Sequence, residues 1–512
     1  MKRIAVAIFL SSFFLLRPFI MEFYGLMYPD DDFDYFAHST SLAFGQFPSY
    51  KKEFIMGSMN GPERAIGTGI MAAPFVFAFS WLDRLNGSDI AEKRTPTNVQ
   101  TSWAIFGFIF ASVFYFCLSC LLLYWSTQLV AGPSLAVWAT ILMVICQGMP
   151  IYAYRRPVFS HTPEFFLQSL FVYLLIKNEL GGGNLMKKRW SFVLLGVPAG
   201  LMALTRYNNV LFAVVWPLLF LSRDMRQEKN WGVLSRNILC AYSTVALLIL
   251  IFKIWPEAYN HYNTYPGLEK ELLVHAPWQE LVQRLGHIFF GLDWGLVFTA
   301  PFLLLGVWGL GSMDVSWKKK YIVATSPLLV NFYIIFVTGY QGSYYGYRYL
   351  IASAFPLLVL PLAFLFKKIE TKIASWWKWG AVLLAILPVM SMWCWEGNSL
   401  VATHIIPVFF GKEDWSNATY QIAVWQTVLD PKILWGIVYS GGIQYGHYLY
   451  CAAGTIGGGK INPPFDTKTL VQVFIIYSLP FTMLFFTGLI SSNKKTCTGQ
   501  HRCSQVPTPG PS

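Results

Sequence analysis

From Thr95 to Tyr154 the chain runs for 60 residues without one Asp, Glu, Lys or Arg. A water-exposed helix needs a polar outer face, so a soluble fold cannot hold so long a stretch free of charge. One bilayer crossing takes about 20 apolar residues, and this stretch has the length for two crossings joined by a short turn. The rest of the chain agrees. Of its 512 residues, 55% are hydrophobic, 17% aromatic and 12% charged, with a mean hydropathy of +0.46. Ordinary globular chains carry about 25% charged residues. These figures exclude a soluble enzyme, a disordered protein and a secreted disulfide scaffold. A membrane β-barrel would alternate in segments of about ten residues, and the runs here are continuous. The fold class that remains is an all-α polytopic membrane protein.

The net charge of +12 (38 Lys+Arg against 26 Asp+Glu) is no nucleic-acid signal in such a chain, because excess Lys and Arg mark cytoplasmic loops. Thirteen apolar runs stand at about 4–21, 65–82, 103–126, 135–149, 163–176, 190–205, 207–222, 237–255, 287–311, 321–338, 349–366, 379–395 and 470–490. If all thirteen crossed, the basic loops would fall outside. The run at 65–82 is the weakest: it is short, broken by Pro74 and opened by Gly67 and Gly69. Without it the basic clusters at 177–189, 223–236, Lys318–Lys320, Lys367–Lys378 and Lys494–Lys495 all lie in the cytoplasm, as the positive-inside rule asks. The expected architecture is about 12 transmembrane helices plus an amphipathic outer first loop, 22–102, in which 65–82 is interfacial or re-entrant. Residues 1–395 are expected to form the multi-span domain. Residues 396–469 form an outer segment, read as acceptor recognition, a lid or a structural cap. The last transmembrane helix is 470–490, and 491–512 is a polar, Pro-containing cytoplasmic tail.

Polar sequence concentrates on the outer face. The first outer loop opens with Asp30-Asp31-Asp32-Phe33-Asp34-Tyr35-Phe36-Ala37-His38 and continues through Glu53. Bunched carboxylates near a low dielectric raise one another's pKa, which suits acid/base work or cation binding; a solvated helix N-terminus is the alternative. The second outer loop holds Arg155, Arg156, His161 and Glu164. The third is the turn Arg206-Tyr207-Asn208-Asn209, and the fourth carries Tyr345, Tyr347 and Arg348 in a Tyr/Gly-rich turn. Arginine forks suit phosphate, tyrosine faces suit sugar rings, and a carboxylate beside an acceptor hydroxyl can act as general base. Together they point to transfer of a group from a phosphate-linked membrane lipid.

Four short motifs in order resemble the membrane glycosyltransferases that use polyprenyl-phosphate sugars. This GT-C superfamily includes protein O-mannosyltransferases and aminoarabinose lipid A transferases. The motifs are Asp31 followed four residues later by Tyr35; Gly67-Thr68-Gly69 leading to Ala73-Pro74-Phe75; Gly200-Leu201-Met202-Ala203-Leu204-Thr205-Arg206; and Tyr347-Arg348-Tyr349-Leu350 before Pro356. The resemblance covers about residues 1–370. It implies an inverting transfer with Asp31 as base, Arg206 and Arg348 as ligands of the donor phosphate, and Glu164 with His161 as polar contacts. The family's Asp-Glu pair is Asp31-Asp32 here, so either carboxylate is open as the base. The Lys-Pro-Pro-type element of some members is missing, which leaves the donor open.

Catalysis is therefore expected from Asp31 and Asp32. Substrate binding is expected from Asp34, Tyr35, His38, Glu53, Arg155, Arg156, His161, Glu164, Arg206, Tyr345, Tyr347 and Arg348. The Asp-x-Asp spacing at Asp30–Asp34 also suits a divalent metal such as Mg or Mn. Expected partners are a polyprenyl-phosphate sugar donor, a glycan, lipid or protein acceptor, and membrane lipids. The expected location is a bacterial inner membrane with the site facing out. A transporter or flippase for a lipid-linked glycan is the alternative; it would place charges deep in several helices, whereas the charges here gather at one face.

Overall fold

The computed structural model describes most of residues 31–51, 62–94, 102–155, 159–180, 189–220, 231–261, 277–338 and 347–400, with isolated positions at 3–8 and 471–483. Among the described residues the chain is helical and holds no strand. α1 is Asp31–Ala43 and α2 is Gly67–Leu85. α3 (Trp103–Ala131) leads across Gly132 into α4 (Pro133–Thr140), which widens into a π-helical turn at Ile141–Ile145. A second π-helical turn, Ile151–Arg155, precedes α5 (His161–Leu180). Next come α6 (Arg189–Thr205), α7 (Val210–Leu219) and α8 (Trp231–Ile249). α8 continues through a π-helical turn at Leu250–Ile254 into α9 (Trp255–Asn260). α10 (Trp278–Phe290), α11 (Leu296–Thr299) and α12 (Pro301–Gly309) follow. α13 (Val315–Thr338), α14 (Arg348–Ile373) and α15 (Trp377–Leu400) complete the set.

Among the described residues four helices are long and apolar enough to cross a membrane: Trp103–Ala131, Ser235–Asn260, Val315–Val337 and Leu350–Ile373. Among the described residues four shorter apolar helices, including Val210–Leu219 and Pro301–Ser312, lie between them, and a fifth, Trp377–Met392, follows. α3 and the 350–366 section of α14 are apolar almost all round and mostly buried, which is the pattern of central helices. Ser235–Asn260 is the opposite case. Its mean hydropathy is 2.2, yet only 11% of it is buried in the protein. Leu239, Leu247, Leu250 and Ile254 stand exposed along it. In water so large an apolar face would be a liability; against lipid tails it costs nothing.

α2 runs antiparallel to the first half of α3. Phe79 packs on Trp103, Phe106 and Phe110, and Phe75 on Phe110, Phe114 and Tyr115. The Tyr115 hydroxyl donates to the Met71 carbonyl at 2.9 Å. At the far end the buried Asp83 accepts the Trp103 and Ala104 N–H groups at 2.7 and 2.8 Å, and Ser102 accepts that of Ile105 at 3.0 Å. Three of the four orphan N–H groups of a helix start are thus satisfied inside the fold, and the carboxylate also complements the helix dipole.

The segment expected to be an interfacial or re-entrant helix forms one continuous helix lying along α3, and Pro74 does not break it. It is not among the four helices with the hydropathy of a span. The run at 287–311 is corrected: the chain divides it among α10, α11 and α12. The buried Gln147 braces this region. Its Nε2 donates to the Met143 carbonyl at 2.8 Å inside the π-helical turn, and its Oε1 accepts the Phe302 N–H at 2.9 Å at the start of α12.

Candidate functional site

The acidic motif begins α1, where carboxylates favour the positive end of the helix dipole. Positions 31, 34, 35 and 38 share one face of α1 by helical spacing. Asp34, Tyr35 and His38 are buried there. Asp34 Oδ2 accepts the Arg64 N–H at 3.1 Å. His38 Nε2 donates to the Arg64 carbonyl at 2.9 Å, and its Nδ1 faces the Tyr50 hydroxyl at 2.6 Å. These two residues, expected to contact substrate, bond the chain that enters α2 instead. Burial drives the His38 imidazole from its ordinary 6.5 down to about 4, and the bond to the Arg64 carbonyl offsets part of this.

A testable pH dependence follows. Between pH 6.5 and 4 the unfolded chain takes up a proton at this histidine and the folded chain does not. The stabilisation is complete above pH 6.5 and is lost as pH falls towards 4, about 3 kcal/mol in all. A His38→Gln variant is expected to lose less of its thermal midpoint than the wild type between pH 7 and pH 4.5. Equal losses in both would show that His38 is solvated.

The start of α2 joins α1 to the arginine turn. A Cβ on Gly67 would lie 2.4 Å from the Thr205 nitrogen and 2.6 Å from the Leu204 carbonyl oxygen. A Cβ on Gly69 would lie 2.3 Å from His38 Cβ. Only glycine permits these approaches, so Gly67-Thr68-Gly69 clamps the acidic helix and the end of α6 to one point.

Beyond Thr205 the side chain of Arg206 turns inward. Its Nη1 donates to Glu164 Oε2 at 3.0 Å and lies 3.3 Å from His161 Nδ1. Glu164 is fully buried and Arg206 is 9% exposed. The other Glu164 oxygen accepts the hydroxyl of Ser353 on α14. The His161 ring packs on Tyr152 of the second π-helical turn, with centroids 4.5 Å apart, and Thr162 donates to the Tyr152 carbonyl at 3.2 Å. A buried charge pair is stable only when its remaining valences are met. Here Ser353 meets one of them, and His161 stands against the guanidinium.

Two amides extend this network. Gln168 lies one turn along α5 from Glu164, and Asn209 lies three residues past Arg206. Both are fully buried, and neither side chain has a hydrogen-bond partner among the described residues. Each such group costs about 1–3 kcal/mol when unmet, which marks the place where water or a polar ligand belongs. Asn208 is spent otherwise, donating to Asn331 on α13 at 3.2 Å.

Of the expected residues, the structure thus brings together His161, Glu164 and Arg206, and through Gly67 and Gly69 sets α1 beside them. Tyr347 is buried at the start of α14. Glu53, Arg156 and Tyr345 lie outside the described residues, as do Asp30 and the side chains of Asp31, Asp32, Arg155 and Arg348. So do the tail and nearly all of 396–469. Among the described residues no three His, Cys, Asp or Glu side chains gather to hold a metal. Ser353, Tyr50 and Gln168 had no sequence signal, being single polar residues in runs without a motif. No family model matches the chain, and no curated protein does.

Proposed function

We propose that the chain is a multi-span membrane glycosyltransferase, moving a sugar from a polyprenyl-phosphate donor to an acceptor hydroxyl on the outer side. The observation that carries this proposal is the Gly67–Gly69 junction, which holds the His38 end of the acidic helix and the last residues before Arg206 against the start of α2. Chemistry that needs a base and an anion-binding group within one substrate's reach requires that closeness.

In this mechanism Asp31 or Asp32 takes the proton of the acceptor hydroxyl. The acceptor oxygen attacks the anomeric carbon, and the bond from that carbon to the phosphate oxygen breaks. Polyprenyl phosphate leaves with the electron pair, and Arg206 stabilises its added charge. One direct displacement inverts the anomeric centre. Glu164, Ser353 and His161 hold the guanidinium in place. The exposed apolar faces of α7, α8 and α13 suit entry of a long isoprenoid from the bilayer. A divalent cation at Asp30–Asp34 would assist departure of the phosphate, and chelation in the same assay tests for it.

The test is transfer from radiolabelled polyprenyl-phosphate sugars in membranes holding the full chain. Asp31→Asn or Asp32→Asn is expected to lower the rate by about 10²–10⁴, the range for loss of a general base. Wild-type rates in both variants would remove the catalytic role of this motif.

A further inference from the structure

α15 is apolar on both sides, and the bulkier side is the outer one. Trp377, Ala381, Ala385 and Met392 form its buried stripe by helical spacing. Trp379, Val382, Leu383, Ile386 and Val389 form a second stripe on the far side and stand exposed, Trp379 at 67% and Leu383 at 66%. A helix in water turns its large apolar residues inward. Against acyl chains the observed order carries no such penalty. Between Trp379 and Val389 the helix rises about 15 Å, half of the roughly 30 Å hydrocarbon core. The exposed stripe is therefore as long as the chains of one leaflet.

One end of this stripe is basic. Trp377 stacks on Phe366 of α14 with centroids 4.5 Å apart, and Lys378 Nζ lies 3.7 Å from Glu370 Oε1. The last turns of α14 and the first turn of α15 thus lie side by side. They gather Lys367, Lys368, Lys372 and Lys378 against one carboxylate, Glu370, a net charge of +3 (four minus one). Lys378 is taken up by Glu370 and by the Trp377 ring, whose centroid is 5.7 Å from the ammonium. Lys367, Lys368 and Lys372 stand exposed and pair with no carboxylate among the described residues. Trp376, between the two helices, is 75% exposed. An indole, with its apolar ring and single N–H, suits the level of the lipid headgroups.

Charge and shape together specify the ligand's class. A zwitterionic headgroup brings no net charge to three unspent ammonium groups. A soluble anion makes no use of the apolar stripe beside them. An ammonium donates to phosphate oxygens from several directions, as a compact point charge, and lysines beside a membrane favour anionic lipids.

We propose that the α14–α15 corner is a binding surface for an anionic phospholipid. Its phosphate sits among Lys367, Lys368 and Lys372, and its acyl chains lie along 379–389. The surface stands whether or not the transferase reading above holds.

The test uses the full chain purified in detergent, with native mass spectrometry following single bound lipids. The probes are dioleoyl phosphatidylglycerol and dioleoyl phosphatidylcholine, with glycerol 3-phosphate as a soluble competitor. One lysine at an anionic surface corresponds to about fivefold in affinity. Lys367→Gln/Lys368→Gln/Lys372→Gln, all at exposed positions, is expected to lose about 10²-fold for phosphatidylglycerol and to keep its affinity for phosphatidylcholine. Lys367→Arg/Lys368→Arg/Lys372→Arg is expected to keep the wild-type preference, because charge carries it. Equal wild-type affinity for the two lipids overturns the proposal. So does a preference that survives the triple glutamine variant and vanishes in Lys318→Gln/Lys319→Gln, which would move the site to α13. Displacement of phosphatidylglycerol by an equal concentration of glycerol 3-phosphate would reveal a free-anion site and overturn it as well.

Discussion

Replacing Arg206 by leucine is expected to destabilise the protein by about 3–5 kcal/mol, the cost of stranding a buried charge. Glu164 is fully buried, and its only other bond among those above is the neutral hydroxyl of Ser353. The double variant Arg206→Leu/Glu164→Leu removes both charges and is expected to recover most of that loss. Transfer activity separates structure from chemistry. Both variants are expected to be inactive, because the phosphate has lost its cation, although the double variant folds. Thermal midpoints and transfer rates on the same samples decide it. Transfer at the wild-type rate by the stable double variant would show that the pair serves only the fold. A single variant as stable as wild type would show that water reaches Glu164.

Gly67→Ala is expected to cost at least 1–3 kcal/mol, the usual range for overpacking, and to cut transfer by about 10²-fold or more, as misplacement by about 1 Å does. The atoms that a Cβ would meet are the backbone N of Thr205 and the C and O of Leu204, at 2.4 to 2.6 Å. Backbone cannot rotate aside as a side-chain end can, so α2 must move off α6 and take α1 with it. Gly69→Ala should act alike, since His38 Cβ is fixed to its own backbone. Gly311→Ala is the control: nothing lies within 4 Å of its added Cβ, and both measurements should stay at wild-type values. Normal transfer by Gly67→Ala would mean that this junction does not set the spacing between base and arginine.

Much of the helical character was legible in composition, because a charge-free run of 60 residues leaves a chain few alternatives. The motif order was also informative: the helix that Asp31 opens and the α6 end that leads to Arg206 both pack on Gly67-Thr68-Gly69, and the glycines are what allows them to. Hydropathy could not foresee that the apolar run at 287–311 would divide among α10, α11 and α12. Nor could it foresee that α2 would lie along α3, since that depends on Phe75 and Phe79 finding rings some thirty residues away in sequence. The partners of Glu164 and His38 were hidden for the same reason. Ser353 and Tyr50 are unremarkable where they stand in sequence, and their value lies in long-range closure.

α5 joins two charged ends. Near its start Glu164 meets Arg206, and near its end Glu179 meets Lys320. Between them Phe171, Val172, Leu175 and Ile176 are buried, and Phe171 stacks on Trp216 with centroids 4.2 Å apart and planes 6° from parallel. A proton hops only between groups within hydrogen-bond reach, about 3 Å, and this apolar section spans roughly 8 Å of helix. Along α5, then, the fold is an electrical insulator. Neither charged pair can hand a proton to the other along this helix.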